Sequence, residues 1–249
     1  MRKYLSVFAA MGIAALAPGS WATDDATQAD VATRAKAEKV MARAKLAQGG
    51  SHWDALRSIY TTGELQTTAL HGPFRSLDDL QTGRHHDRYN LGYAKGDNGF
   101  DGVRAWSVDA SGKAHETLDA EARAVVMNEA WRRSYSFWNA RRPGSLAYVA
   151  RRTESKCRFD VVRATPEGGR PFEIWVDVAT GLFDRFVEAS HGETLTTFLS
   201  DYRDVRGIKL PFALRVANGA AKYDQLYIIQ DIAINVPIDA SDFAMPSPE

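Results

Sequence analysis

The stretch "GIKLPFALRV", Gly207–Val216, decides how this chain is read. From Ile208 onward, Ile208, Leu210, Phe212, Leu214 and Val216 fall to one side, and Lys209, Pro211, Ala213 and Arg215 to the other. Alternation of this length marks a strand with one buried face. What covers that face, the chain's own core or an apolar group from elsewhere, is the question the remaining residues must answer.

Outward from this strand, similar runs recur at short spacing. "SLAYVARRT", "CRFDVVRAT", "PFEIWVD", "LFDRFVEAS" and "TLTTFLSDYRD" precede it, and "YDQLYIIQDIAINV" follows. Hairpin turns such as "PEGGR", "VATG", "HGE" and "VRG" join them. Earlier in the chain, "LRSIYTTGELQTTA", "FRSLDDLQTG", "RHHDRYNLG" and "VRAWSVDASG" read as four more strands between glycine-rich turns. Two helices break the series. "DVATRAKAEKVMARAKLAQGG" carries a capping Asp30 and stops at Gly49 and Gly50. "DAEARAVVMNEAWRRSYSFWNA" is capped by Asp119 and carries Met127, Trp131, Ser134 or Tyr135, and Trp138 at helical spacing. That aromatic stripe reads as core, a helix plugging the open face of a sheet. The expected fold is mainly β (α+β): one curved antiparallel meander of about 10–11 strands with helices packed in its concave face.

The N-terminus is an export signal. Arg2 and Lys3 precede the apolar "YLSVFAAMGIAALAP" and the small-residue site "GSWA" at 19–22. The apolar run is short for a membrane span. The expected organisation is a leader at 1–22, an N-terminal helix at 23–48, and a sheet domain at 49–249 that includes a helix at about 119–138. The expected location is the periplasm, with no transmembrane anchor. No cysteine sits at the end of the leader, and Cys157 is the only one in the chain, so the fold rests on packing rather than disulfides. Cys157 opens a strand, and no base beside it in sequence argues for a nucleophile. Without Arg2 and Lys3, 29 basic residues stand against 31 acidic ones, which gives no sign of a nucleic-acid partner.

Several turns resemble the LolA/LolB-like lipoprotein-sorting family. They are "DVATGL" (177–182), "DYRDVRGIKLP" (201–211), "NVPIDASDFAMP" (235–246) and "GGSHWDALRSIYTTGEL" (49–65). "GFDGVRAWSVDASG", "NEAWRRSYSFW" and "TPEGGRPFEIWVD" resemble more specifically an exported domain found upstream of retropepsin-like aspartic protease domains. Each turn has its own physics: Gly181 can take a positive φ while Asp177 bonds back to the turn, Pro211 needs a strand position whose N–H is not paired, and Phe243 tucks back under the sheet. The resemblance implies an eleven-stranded half-barrel with a helical lid, whose apolar hollow holds the acyl chains of lipids or lipoproteins.

Chemistry is sparse by comparison. No Asp-Thr-Gly or Asp-Ser-Gly triplet occurs, so the chain is not the protease itself. The six histidines (52, 71, 85, 86, 115 and 191) show no metal-ligand spacing, and His85 and His86 read as neighbours on a solvated strand, pointing to opposite faces. No cofactor, metal or catalytic residue is expected. From Glu121 to Arg170, eleven basic residues face five acidic ones. These read as a solvated face with arginines favoured at a helix C-terminus, or as a rim at Arg141 and Arg142 for anionic headgroups or an acidic partner. Trp106, Trp131, Trp175, Phe186, Phe198, Phe212 and Leu214 are the candidate ligand-lining residues, chosen for size and alternation. The leading expectation is a periplasmic carrier of an acylated small molecule or lipoprotein. The alternatives are a non-catalytic interaction or sensor module that docks on another exported protein, and an enzyme built on the same scaffold. An enzyme would need a polar cluster inside the hollow.

Overall fold

The computed structural model describes residues 21–109, 111–190, 192–219 and 224–246. The leader expected at 1–22 lies outside them up to residue 20, as does His191. Helix α1 (Trp21–Ala47) and a 3-10 turn (Gly50–Ala55) lead into β1 (Ser58–Gln66), β2 (His71–Asp79), β3 (His85–Asn90), β4 (Lys95–Phe100), β5 (Ala105–Val108) and β6 (Ala114–Glu116). Helices α2 (Ala120–Arg133) and α3 (Ser136–Asn139) follow. The second strand series is β7 (Gly144–Glu154), β8 (Cys157–Pro166), β9 (Phe172–Asp177), β10 (Phe183–Ser190), β11 (Glu193–Val205), β12 (Ile208–Ala217) and β13 (Gln225–Ile234), closed by a 3-10 turn at Ala240–Phe243.

All 13 strands form one antiparallel sheet in the order β6-β5-β4-β3-β2-β1-β13-β12-β11-β10-β9-β8-β7. It consists of two meanders, β1 to β6 and β7 to β13, joined where β1 pairs with β13. Two strands exceed the expected count. β4 is "KGDNGF" and β6 is "AHE", whose glycine, aspartate and asparagine content or brevity gives them the composition of turns. The sheet is not closed, and it curls around α2. Ala130 of α2 packs with Phe100 and Ala105 of β4 and β5, while Trp131 meets Phe172 of β9 edge-on. Strands that lie far apart in sheet order thus touch successive residues of one helix, which places the helices in the concavity.

Local signals explain most element ends. Asp119 caps α2 by accepting from Ala122 N at 2.8 Å. Gly49, at φ 130°, ends α1 where a Cβ would sit 2.6 Å from Gly207 O, so only glycine fits. Gly181 takes φ 76°, and Asp177 Oδ1 accepts from Thr180 N at 2.7 Å, closing the expected turn. Two helix expectations need correction. α1 already includes Trp21, the first described residue, so Asp30 sits within it, its backbone carbonyl accepting from Thr33 Oγ1. The helix expected through 138 breaks at Tyr135, whose φ of 52° starts the separate turn α3. The aromatic stripe itself is core, with Trp131 only 2% exposed.

Candidate functional site

Cover over the concave face fades along β12. Ile208 is 1% exposed and Leu210 3%, both packed in a cluster with Trp53, Leu56, Ile59 and Leu80. Phe212 is 8% exposed, and Leu214 and Val216 are half-buried. The strand therefore runs out from beneath the helices into open concavity. Cross-strand pairing extends this half-buried row: Leu199 of β11 faces Leu214, Leu214 faces Tyr227 of β13, and Tyr227 faces Leu65 of β1, which is buried again. The next row holds Phe74, edge-on to Tyr227 at 5.1 Å, and Tyr89, whose ring lies so close over Gly96 that no Cβ fits there. Half-buried Phe186 of β10 packs against Phe172 and Phe183, between this strip and the core.

The covered half is filled by the chain itself. Val40, Met41 and Ala44 of α1 and Trp131 and Phe137 of the α2–α3 segment pack on Val162, Ile174, Val176 and Phe183. Trp138 stacks on Phe183 and on Tyr135. Carboxylates from the sheet pin the helices down. Asp160 accepts from Arg43 of α1 at 2.9 Å and from Arg151 and Tyr148. Glu188 accepts from Arg132 at 2.7 Å and from Asn128 at 3.1 Å.

A third charged group lies where α2 crosses β2 and β3. Arg133 donates to Asp78 Oδ1 at 2.7 Å, to both oxygens of Asp87 at 3.0 and 2.7 Å, and to Ser76 Oγ at 2.9 Å. Asp87 and Arg133 are enclosed by protein, yet each keeps 24% of its side chain exposed, so water reaches into the concavity here. Burial works against the Arg133 charge, but Asp87 and Asp78 hold its pKa well above the ordinary guanidinium value. Asp87 is held below the usual carboxylate range because Arg133 outweighs its burial, whereas burial and the neighbouring Asp87 leave Asp78 raised. Burial also raises Glu129. His85, 1% exposed, is pushed down to about 4 by burial and then by Arg133. It is therefore neutral at pH 7, with Nδ1 at 3.1 Å from Gly83 O and Nε2 at 3.6 Å from Glu129 Oε2.

The polar cluster that the sequence did not reveal is thus present: Arg133 bridges Asp78 and Asp87, and the hydroxyl among its partners, Ser76 Oγ, accepts from the same guanidinium. Among the described residues, no group of three or more His, Cys, Asp or Glu could hold a metal ion. The expectation of a solvated His85–His86 strand is overturned. Register does send the pair to opposite faces, but His85 is buried in the concavity, and His86, with a 13% exposed side chain, bonds to Asp97 and to Asp242 O. Cys157 opens β8 as expected and is exposed.

Four of the seven candidate lining residues, Trp131, Phe186, Phe212 and Leu214, face the concavity. Trp106, Trp175 and Phe198 do not. Trp175, Arg185 and Phe198 form one cross-strand row on the outer face, with the Arg185 guanidinium 4.2 Å from the Trp175 ring and 5.6 Å from that of Phe198. Trp106 is sealed on the outer face by the C-terminal turn, donating to Phe243 O at 2.9 Å, with Phe243 fully buried. Size and alternation select both faces of a strand alike, and parity across the turns and the bulge between Phe183 and Arg185 decides which is inward. Arg141 and Arg142 are not a free rim. Arg141 Nη1 donates to Leu80 O at 2.8 Å and Arg142 Nη1 to Thr82 O at 2.6 Å, clamping the β2–β3 turn.

No family model matches the sequence, and comparison with curated proteins finds no match. Solved structures do share the architecture. A domain described as an outer membrane lipoprotein-sorting protein from Vibrio parahaemolyticus has a TM-score of 0.58 at 10% identity, covering 84% of this chain and 97% of its own. A DUF1329 family protein from Desulfovibrio piger has a TM-score of 0.58 at 12% identity, covering 85% and 97%. A LolA superfamily protein from Nitrosomonas europaea has a TM-score of 0.60 at 10% identity, covering 84% and 97%. At such identities the likeness speaks for the fold: this chain is built as a LolA-like half-barrel.

Proposed function

We propose that the chain is an exported, periplasmic carrier that seats the acyl chain of a lipid or lipoprotein on the open half of its concave face. The carrying observation is the half-buried row Leu199–Leu214–Tyr227, continuous with Phe186 and Phe212, which emerges from beneath the packed helices on the concave face. Burying a long acyl chain yields on the order of 10 kcal/mol gross, at about 0.8 kcal/mol per CH₂. Ordering and association offset much of that, which leaves room for micromolar binding. The lipoprotein-sorting description of the Vibrio parahaemolyticus domain supports this reading, as does the export signal. Among the described residues, no helix is long and apolar enough to cross a membrane. The proposed role requires no covalent step, cofactor or metal.

Native mass spectrometry of residues 23–249 purified from the periplasm, with organic extraction of co-purifying material, tests the proposal. A stoichiometric acylated species that is lost in Leu214→Glu is expected. A clean apo mass, together with failure to bind a fluorescent fatty acid, would overturn it and favour a module that docks on another exported protein.

A further inference from the structure

The outer face of β1–β5 carries a trough of about 910 Å³, with a cavity of about 300 Å³ at one end. Pairing register sets Thr62, Arg75, Arg88 and Asp97 in one row across β1 to β4. Arg75 and Arg88 are thus like charges directly opposite one another, an arrangement that destabilises a sheet. Asp97 is already used: one oxygen lies 2.8 Å from Arg88 Nε and the other 2.7 Å from His86 Nε2. Glu64, on the same face, is held by His71 and Gln66 at 3.2 Å each. Asp242 accepts from Asp239 N in the C-terminal turn, and Asp109 is taken by His115 and by backbone amides. Arg75 and Lys95 both line the trough, and neither has a partner among the described residues. Tyr60 and fully exposed Tyr93 supply the walls.

We propose that this trough binds a phosphoryl group, with Arg75 of β2 and Lys95 of β4 closing on its oxygens from either side. A guanidinium fork and a mobile ammonium suit such an anion. Its arrival places negative charge beside Arg75, while the facing Arg88 already has Asp97. The site lies on the face opposite the acyl-binding strip, so the two proposals stand or fall separately.

Phosphoryl groups occur both in lipid headgroups and on small soluble esters, and two probes separate these sources. The exported chain is tested against phosphatidylcholine vesicles with and without phosphatidylglycerol by co-sedimentation, and against glycerol phosphate by calorimetry. The expected result is binding of at least one probe, weakened tenfold or more in R75Q/K95Q with unchanged thermal unfolding. The double variant R152Q/R158Q removes two exposed arginines outside the trough and is expected to bind as the parent does. Binding of the vesicles alone identifies a headgroup, and binding of glycerol phosphate identifies a soluble ester. Failure of both probes, or equal losses in the two double variants, overturns the site.

Discussion

The two halves of the concave face use charge and apolar surface in opposite ways. Beneath the helices, apolar side chains fill the space, and the carboxylates of Asp160 and Glu188 act as clamps on arginines from α1 and α2. Beyond α2, apolar side chains stay half-exposed, and the Asp78–Asp87–Arg133 group stands in reach of water. One sheet is therefore covered by helices at one end and left partly open at the other. Amphipathic alternation is the same in both halves. Only the extent of the helical cover differs.

Substitutions at matched depths should expose that difference. Trp131→Ala, in the covered half, should cost about 3–5 kcal/mol of stability, since the helix cannot collapse into the void. Chemical denaturation checks this, and a loss below about 1 kcal/mol would mean that the interior is looser than its packing indicates. Glu188→Gln strips Arg132 of its charged partner and should cost about 2 kcal/mol by the same measurement.

The His85 imidazole gives a graded effect. Its folded pKa, about 4, lies below the ordinary 6.5, so the unfolded chain binds more protons between these values. The stability it contributes is complete above pH 6.5 and falls as pH drops towards 4, by up to about 1.4 kcal/mol per pH unit. Raised Asp78 and Glu129 act in the opposite sense and Asp87 in the same one, so the difference between parent and His85→Gln isolates the histidine. Melting curves from pH 7.5 to 4.5 (approximate limits chosen to span the titration) should show a shallower decline in the variant. The smallest stability change belongs to the open half: Leu214→Glu should cost less than about 1 kcal/mol while weakening fatty-acid binding at least tenfold. A large stability loss there would turn the open half into ordinary core.

Much of the architecture is legible in the sequence because strands and turns are local. Alternation marks β12, Asp177 and Gly181 mark their hairpin, and Asp119 marks the start of α2. β4 is illegible for the same reason, since glycine, aspartate and asparagine spell a turn unless neighbouring strands enforce pairing. The site is harder to read. Arg133 meets Asp78 and Asp87 across 55 and 46 residues of sequence, and no motif spacing signals a contact made only when the sheet curls. Within the basic run it looks like one more solvated arginine. Likewise, the inward parity of Phe186 follows from a bulge beside Phe183, which side-chain chemistry does not announce. His85 escaped because its burial depends on Phe100, contributed by the overlooked β4.

The pairing of β1 with β13 sets a timetable for folding. Ile59 meets Ile234, and Ser58 Oγ donates to Val236 O at 2.6 Å, so the first strand is completed by the last. Hairpins on either side can form as they emerge, but the seam between the meanders waits for nearly the whole polypeptide, a non-local closure that slows folding. Until then β1 presents a bare edge able to recruit foreign strands. A chain cut short before β13 should therefore aggregate rather than yield half a barrel, and the interval between the emergence of these two strands is the period in which an escort for the unfinished protein matters most.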